Sequence, residues 1–493
     1  MYHNSGDRIR LLQHFKDHIT DPQFHKHYGG YMLPIFVQGF FATTLSSRYA
    51  KYTFPFGCCF HNWAVDREFD WHWPVNDMRM LRQKLFEELE RRREFGKEFF
   101  EQYLVAFHAF VDAAKAEEDV TPGDLSPEEL VSRLLHLIEA AGRQGVGYTV
   151  DSLLTSADDD WFTTWVQRYA KKQISKVDLD VLRQPTRPSF TNVYRLRLTE
   201  AAALLESGGD VNALVEIITQ DFYWIEHNYL QAAPKKPEDI FQEIRSVRNG
   251  SQESQKEKKR FAGLSLQKKE ILDRVDASQA LRTFVEFTDD CAFIQDCRKE
   301  AVLRLNHFIF LYADELARRL DFDPELIMYL MFFELEDFVK DPGPFRQMAE
   351  RRRDGALSLF DKDGFVILTK DELTDIDFSP LFHDYSRVRE VAGTPASVGV
   401  AQGVARIVLG GDQFKDFQDG EILITNQTTP DFLPIMRRAG GIVAEQGGLT
   451  SHAAVISREL GIPCVVGVKD AMQIFKTGET VFVDAKKGSV RKS

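Results

Sequence analysis

The sequence is short of several features that would announce a function. Cysteine is scarce: there are five among 493 residues, an odd number, and Cys58 and Cys59 are adjacent, which is a poor start for a disulfide framework. No CxxC pair occurs, which argues against zinc ribbons and thioredoxin chemistry and leaves a reducing, cytoplasmic compartment as the expectation. Long apolar runs are missing as well. The nearest candidate, YMLPIFVQGFFATT, is interrupted by Pro34 and Gly39 and falls short of the ~18 residues needed to span a bilayer. The opening residues, MYHNSGDRIRLLQHFKDH, show neither an apolar signal core nor a small-residue cleavage site, so no leader is expected. There is no P-loop pattern, G-x-x-x-x-G-K-[ST], to cradle a nucleotide.

Positive charge is also in deficit, and unevenly. The formal net charge is −13; from Val391 onward there are 11 Lys and Arg against 10 Asp and Glu, whereas the first 390 residues hold 51 against 65. The acidity therefore belongs to the N-terminal part. Without a basic stripe, neither nucleic acid nor an anionic membrane surface is an expected partner.

What remains is an ordinary globular composition, 43% hydrophobic, on a chain long enough for roughly two to four domains. Residues 1–374 read mainly as helix. In SPEELVSRLLHLIEAAG, Ser126 caps, Pro127 takes the first helical position, Glu129 completes a capping box, and Leu130, Leu134, Leu137 and Ile138 form the apolar stripe. The run from Met78 to Ala116 is one long helix or two meeting near Gly96, and Cys297 to Leu320 is another. SQESQKEKKRFAGLS, Ser251 to Ser265, is dense in charge and reads as an exposed connection. Residues 375–390 lose all period and read as an interdomain hinge. Beyond them, GVARIVLG, GEILITNQ, GGIVAEQ, PCVVGV and TVFVDAKKGSV are short β-branched runs around one helix, SHAAVISREL, so residues 391–493 form a compact α/β unit. The expected fold class is a multidomain chain: a large mainly α domain followed by a small α/β one.

The stretch GGLTSHAAVISRELGIP, Gly447 to Pro463, gathers the most chemistry. Gly447 and Gly448 form a turn, Ser451 is a candidate N-cap, and the helix ends before Gly461 and Pro463. A strand, glycine turn and helix in that order converge free backbone N–H groups with the positive end of a helix dipole, where an anion is stabilised. His452 lies in the first turn, where the dipole disfavours imidazolium and leaves a neutral, nucleophilic ring. Residue spacing alone leaves open a capping or core histidine and a phosphoryl carrier. A zinc site is the weaker option, because no second ligand lies at metal spacing and Arg458, a turn and a half on, would repel the ion; no metal is expected on this chain.

GTPASVGVAQGVARIV, GEILITNQTTPDFLPIMRRAGGIVAEQGGLTSHAAVISRELGIPCVVGV and TVFVDAKKGSV together resemble the swivelling phosphohistidine domain of the phosphoenolpyruvate-utilising enzymes, a family that includes phosphoenolpyruvate synthase, pyruvate phosphate dikinase and rifampin phosphotransferase. The resemblance implies that His452 is the phosphorylated residue, with Thr450, Ser451 and Arg458 in supporting positions beside the glycines Gly447 and Gly448. Leu449 departs from the family, which commonly has a polar or basic residue there, and Cys464 fills a small-residue position beside the helix.

Large members of that family also hold an ATP-grasp donor domain and a barrel for pyruvate, and neither is legible in these 493 residues. The resemblance thus implies an ATP-grasp partner that brings ATP and Mg2+, with no cofactor held by this chain, and a small-molecule acceptor bound in the helical part. There, DCRKEAVLRLNHFIFLYADELARRLDFDPELIMYLMFFELEDFV resembles the last helices of domain-split relatives. By that likeness Arg298 and Arg304 steady the phosphoryl group as it leaves His452, and Glu300 orients Arg298. Two aromatic and polar stretches are candidate acceptor-pocket walls as well as candidate plain core: HNWAVDREFDWHW, with His61, Asp66 and His72, and WIEHNY, with Trp224 and His227. Two rival readings stand beside the split phosphotransferase: a binding or regulatory protein switched by phosphorylation of His452, and a self-contained phosphotransferase with an unrecognised nucleotide site.

Overall fold

The capping box expected at Ser126 forms: its hydroxyl accepts from the Glu129 amide while the Glu129 carboxylate accepts from the Ser126 amide, and helix Pro127–Gly142 follows. The computed structural model describes residues 24–31, 60–65, 68–92, 94–144, 150, 153, 161–227, 232–360, 365–374, 385, 387–408, 411–428, 432–445 and 451–493. The chain divides into two compact units, Met1–Ile376 and Asp377–Ser493. Among the described residues no helix is long and apolar enough to cross a membrane.

The first unit is built on helix Gln279–Arg319, 41 residues long and so about 60 Å from end to end. It starts well before Cys297 because the apolar period runs back through Ile294, Cys291, Phe287, Phe284 and Leu281 without glycine or proline. Ser278 caps it, accepting from the Leu281 amide at 3.2 Å. Its buried side joins Phe86, Phe99, Tyr103, Phe107, Leu130 and Leu134 in one large core. The Met78–Ala116 run is two helices, Val75–Arg91 and Phe95–Glu118, and Gly96 lies in the first turn of the second. A smaller core of Tyr194, Leu198, Val215, Ile218, Phe222, Trp224, Ile240 and Ile244 joins helices Phe190–Glu206, Asn212–Phe222 and Pro237–Ser246.

Two expectations fail here. Ser251–Ser265 is no exposed connection but part of helix Gly250–Arg274, which packs along Phe190–Glu206. Its Glu, Gln and Lys residues are good helix formers, and Ser254, Glu257, Leu264 and Lys268 recur on a buried side that charge density had hidden. HNWAVDREFDWHW, in the part read as mainly helix, forms strands. Strands β1 (Phe24–Tyr31), β2 (Phe60–Val65), β3 (Glu68–Pro74), β4 (Ala356–Phe360) and β5 (Phe365–Thr369) form an antiparallel sheet in the order β1-β3-β2-β4-β5. The stretch supplies its β2–β3 hairpin, with His61 paired to His72. Phe69, Trp71 and Trp73 alternate with Glu68, Asp70 and His72, the period of a strand.

The second unit is an eight-stranded sheet of β6 (Glu390–Ala392), β7 (Thr394–Ser397), β8 (Val400–Ile407), β9 (Ile422–Thr425), β10 (Gly441–Ala444), β11 (Cys464–Val466), β12 (Thr480–Asp484) and β13 (Ser489–Lys492), in the order β6-β13-β12-β8-β9-β10-β11-β7. The middle strands β8 to β11 are parallel. In β9, β10 and β11 every residue is buried, which is why ILIT, GIVA and CVV are continuous apolar runs rather than alternating ones. Leu423, Ile442 and Val466 face one core, under helix His452–Leu460; Ile422, Ile424, Val443 and Val465 face another. Of the residues read as a hinge, Tyr385 and Val388 pack against this second core, and 375–384 and 386 lie outside the described residues.

Candidate functional site

Strands β9 and β10 run side by side and in the same direction, so the segments that leave their carboxyl ends emerge together. The segment after β9 carries Thr428, and the one after β10 reaches Ser451 and His452. Ser451 has extended backbone and its hydroxyl accepts from the Ala454 amide at 3.4 Å, a long capping bond. His452 is therefore the first residue of a nine-residue helix, at the positive end of its dipole. The helix is held to the sheet by Ala453 and Ala454, both buried, and by the Ser397 hydroxyl donating to the Ser457 carbonyl at 3.2 Å. It stops at Gly461, whose φ of 68 is the left-handed conformation that glycine adopts without strain.

The His452 ring is half-buried, and its Nδ1 lies 2.9 Å from the hydroxyl of Thr428, itself buried. When the Thr428 oxygen accepts a hydrogen bond from Nδ1–H, the lone pair of the neutral ring sits on Nε2, the nitrogen able to attack phosphorus. Sequence reasoning passed over Thr428, although it stands in the NQTTP segment directly after a strand. Gly447, Gly448 and Thr450 lie outside the described residues. Arg458 is exposed and donates to the Ala396 carbonyl at 3.2 Å; six residues along an α-helix from His452, it is about 9 Å further along the axis and about 120° around it. Cys464 sits against the Ala453 carbonyl, and burial pushes its thiol up to about 11, so it acts as a small packing residue.

Residues 417–488 match the model of one family, the PEP-utilising enzyme mobile domain. The C-terminal unit carries that mobile domain. Among relatives, the phosphoenolpyruvate synthase of Pyrococcus furiosus is 47% identical over 100 residues, that of Synechocystis sp. 48% over 101, and a probable phosphoenolpyruvate synthase of Staphylothermus marinus 46% over 102. Each alignment takes in 20% of this chain and 12% of the relative. The chain thus spans about an eighth of the length of these relatives, all of it in the mobile domain. Aconitase X of Thermococcus kodakaraensis aligns with 21% of this chain at 19% identity, with a TM-score of 0.17 that is too low to bear on the fold.

Apart from the mobile domain, the helical unit brings together part of what the sequence suggested. Arg304 is buried, at 4% exposure. Its Nε donates to Glu300 Oε1 at 2.9 Å, its Nη2 to the Asp221 carbonyl at 3.2 Å, and its Nη1 stands 3.6 Å from Glu118 Oε1. The guanidinium lies 4.7 Å over the ring of Trp224. Glu300 thus bonds Arg304, one turn along the helix. Arg298 is half-buried on the same long helix. Trp224 has no exposed surface, being covered by Arg304 and Phe190.

His227 is buried, its Nδ1 3.2 Å from the Leu303 carbonyl, and its ring stacks on His307 with centroids 5.2 Å apart. Burial pushes both imidazoles down to about 4, and for His227 the neighbouring His307 adds to the effect. Tyr223 packs on His307, and its hydroxyl faces Glu118 and Arg304. Burial raises the Glu118 carboxyl, with Arg304 pulling the other way. Sequence reasoning missed Glu118, Tyr223 and His307, which no local motif links. His61 and His72 are paired in the β2–β3 hairpin, and Asp66 lies outside the described residues.

Proposed function

We propose that this chain is a phosphotransferase component in which His452 accepts a phosphoryl group from an ATP-grasp partner and passes it to a small-molecule acceptor held by the helical unit. ATP and Mg2+ belong to the partner in this reading. The observation that carries it is the contact between Thr428 and His452 Nδ1 at a helix N-terminus suited to the added negative charge; when the hydroxyl oxygen accepts from Nδ1–H, the lone pair on Nε2 is the nucleophile. In the first step Nε2 attacks a phosphorus of the ATP held by the partner and the bond from that phosphorus to its bridging oxygen breaks, the electron pair leaving with the departing phosphate group. In the second an acceptor oxygen attacks the phosphohistidine, the N–P bond breaks, and its electron pair returns to Nε2. In this reading the mobile domain travels between donor and acceptor, since two sites that must each exclude water cannot share one chamber.

The test is to incubate the chain with labelled ATP and the ATP-grasp protein encoded nearest to it. Acid-labile label on the wild-type chain and none on His452→Ala is the expected result. Label acquired without the partner would favour a self-contained enzyme. Stoichiometric label that no acceptor ever removes would favour a regulatory switch.

A further inference from the structure

Thr428 and His452 are held in contact from two different elements. Thr428 is buried in the segment that follows β9, where the Thr425 hydroxyl donates to the Gln427 carbonyl at 3.1 Å. His452 opens helix His452–Leu460, which Ser451 caps and which Ala453 and Ala454 anchor by their burial. The 2.9 Å between the Thr428 oxygen and Nδ1 is therefore set by the fold, whereas the direction of the hydrogen bond is not. A hydroxyl is donor and acceptor at once and turns about its C–O bond at little cost, so it can serve either protonation state of the nitrogen. A carboxylate in its place could only accept.

Phosphorylation changes what Nδ1 needs. In the free ring that can attack phosphorus, Nδ1 carries the hydrogen and Nε2 the lone pair. Once Nε2 has bonded to phosphorus the ring is an imidazolium, still bearing the Nδ1 hydrogen. That cation is the labile form, because breaking its N–P bond releases neutral imidazole; after the Nδ1 proton has passed to water, the same cleavage would have to expel an imidazolate anion, a far poorer leaving group. A phosphoryl group in transit needs the second form. The helix N-terminus favours it as well, since the positive end of the dipole disfavours a cationic ring.

We infer that the hydrogen bond between Thr428 and His452 reverses on phosphorylation: the threonine oxygen accepts from Nδ1–H in the free ring, and its hydroxyl donates to the bare Nδ1 in the phosphohistidine, which holds the carried group in its slow-breaking form. Thr428 is then a positioning residue that sets the proton state of the carrier. At discharge the acceptor's O–H attacks phosphorus, its proton reaches Nδ1 through water, and the N–P bond breaks with the electron pair returning to Nε2, which restores the free ring. This rests on the reading of His452 as the phosphoryl carrier and gives that carrier a means of surviving its journey.

The test uses the full chain made with isotope-labelled histidine and phosphorylated chemically with phosphoramidate, so that no partner protein is needed. Nuclear magnetic resonance is recorded at one fixed, mildly alkaline pH; the His452 signals are those missing from His452→Ala, and nitrogen–phosphorus coupling marks Nε2. Nδ1 is expected to show a protonated-type shift before phosphorylation and an unprotonated-type shift after it. Thr428→Ser keeps the hydroxyl, and is expected to keep both shifts and the lifetime of the phosphohistidine. Thr428→Asp can only accept, so it is expected to retain the Nδ1 hydrogen and to lose its phosphate at least about tenfold faster.

A protonated Nδ1 in the phosphorylated ring, a bare Nδ1 in both states, or a folded Thr428→Asp chain whose phosphohistidine lasts as long as the wild type's would overturn the inference. So would a folded chain in which phosphoramidate leaves His452 unmodified, since an open Nε2 is the premise. Were Thr428→Asp not to fold, the two wild-type shifts would decide alone. The carrier itself fails separately: no label from ATP and its partner alongside a reversed bond would sink the carrier and spare the reversal, while label that transfers normally over an Nδ1 that stays protonated would do the opposite.

Discussion

In the mobile domain, the groups around His452 are close in sequence: Thr428 is 24 residues away, and the cap Ser451 is its neighbour. In the helical unit, Arg304 reaches a carbonyl 83 residues back at Asp221 and stands beside Glu118, which is further still. The first arrangement follows from two adjacent parallel strands and the turns that leave them. The second exists only once separate helices have packed on Gln279–Arg319. A site of the first kind survives changes in the rest of the chain, and a site of the second kind is only as sound as the core beneath it.

The sharpest way to break this comparison is at His452 itself. His452→Ala should abolish the acid-labile phosphoenzyme, at least about a thousandfold in rate, while leaving the melting profile of both units unchanged because the ring is half-buried at the surface of its domain. The next largest effect belongs to the other unit. Phe284 is buried among Phe86, Trp161, Phe162 and Trp165, so Phe284→Ala should destabilise the helical unit by about 3–5 kcal/mol. Calorimetry should then show its transition fall while that of the mobile domain stays, and phosphorylation of His452 should persist. A loss of both transitions together would mean the two units are not independent.

Thr428→Val should lower the rate of His452 phosphorylation about ten- to a hundredfold without unfolding the domain, since it removes the Nδ1 partner and keeps the volume, and Thr428→Ser should recover most of it. The smallest effect concerns pH. His227 and His307 are held near 4 in the folded state against about 6.5 in the unfolded chain, so the unfolded chain binds more protons between those values. Their contribution to stability is fully present above about pH 6.5 and is lost as pH falls toward 4. Asp296, raised to about 6 by burial, works in the opposite direction over part of that window. Urea unfolding from pH 7 to 4 should therefore show a flatter acid limb in a His227→Asn, His307→Asn variant than in the wild type.

Much of the mobile domain was legible because its signals are local. Glycine and proline punctuate the buried strands, Ser451 and Gly461 mark the ends of the helix, and Ser126 with Glu129 did the same for a helix of the other unit. The errors share a cause. Gly250–Arg274 looked like a solvated run because the partner of its buried side, Phe190–Glu206, lies far away in sequence. The β2–β3 hairpin was obscured because its sheet is completed by β4 and β5, nearly 300 residues on. Trp224 and Arg304 were each singled out separately, and nothing local indicated that one covers the other.

The sequence alone determined the two-part character of the chain, the buried parallel strands, and the histidine at the start of a capped helix, because strand period, capping chemistry and glycine conformation act over a few residues. Tertiary structure alone decided that Thr428 contacts Nδ1, that Glu300 bonds Arg304, and that Glu118, Tyr223, His227 and His307 gather around that arginine. Those facts depend on which surfaces meet, and packing between distant segments has no signature within either one.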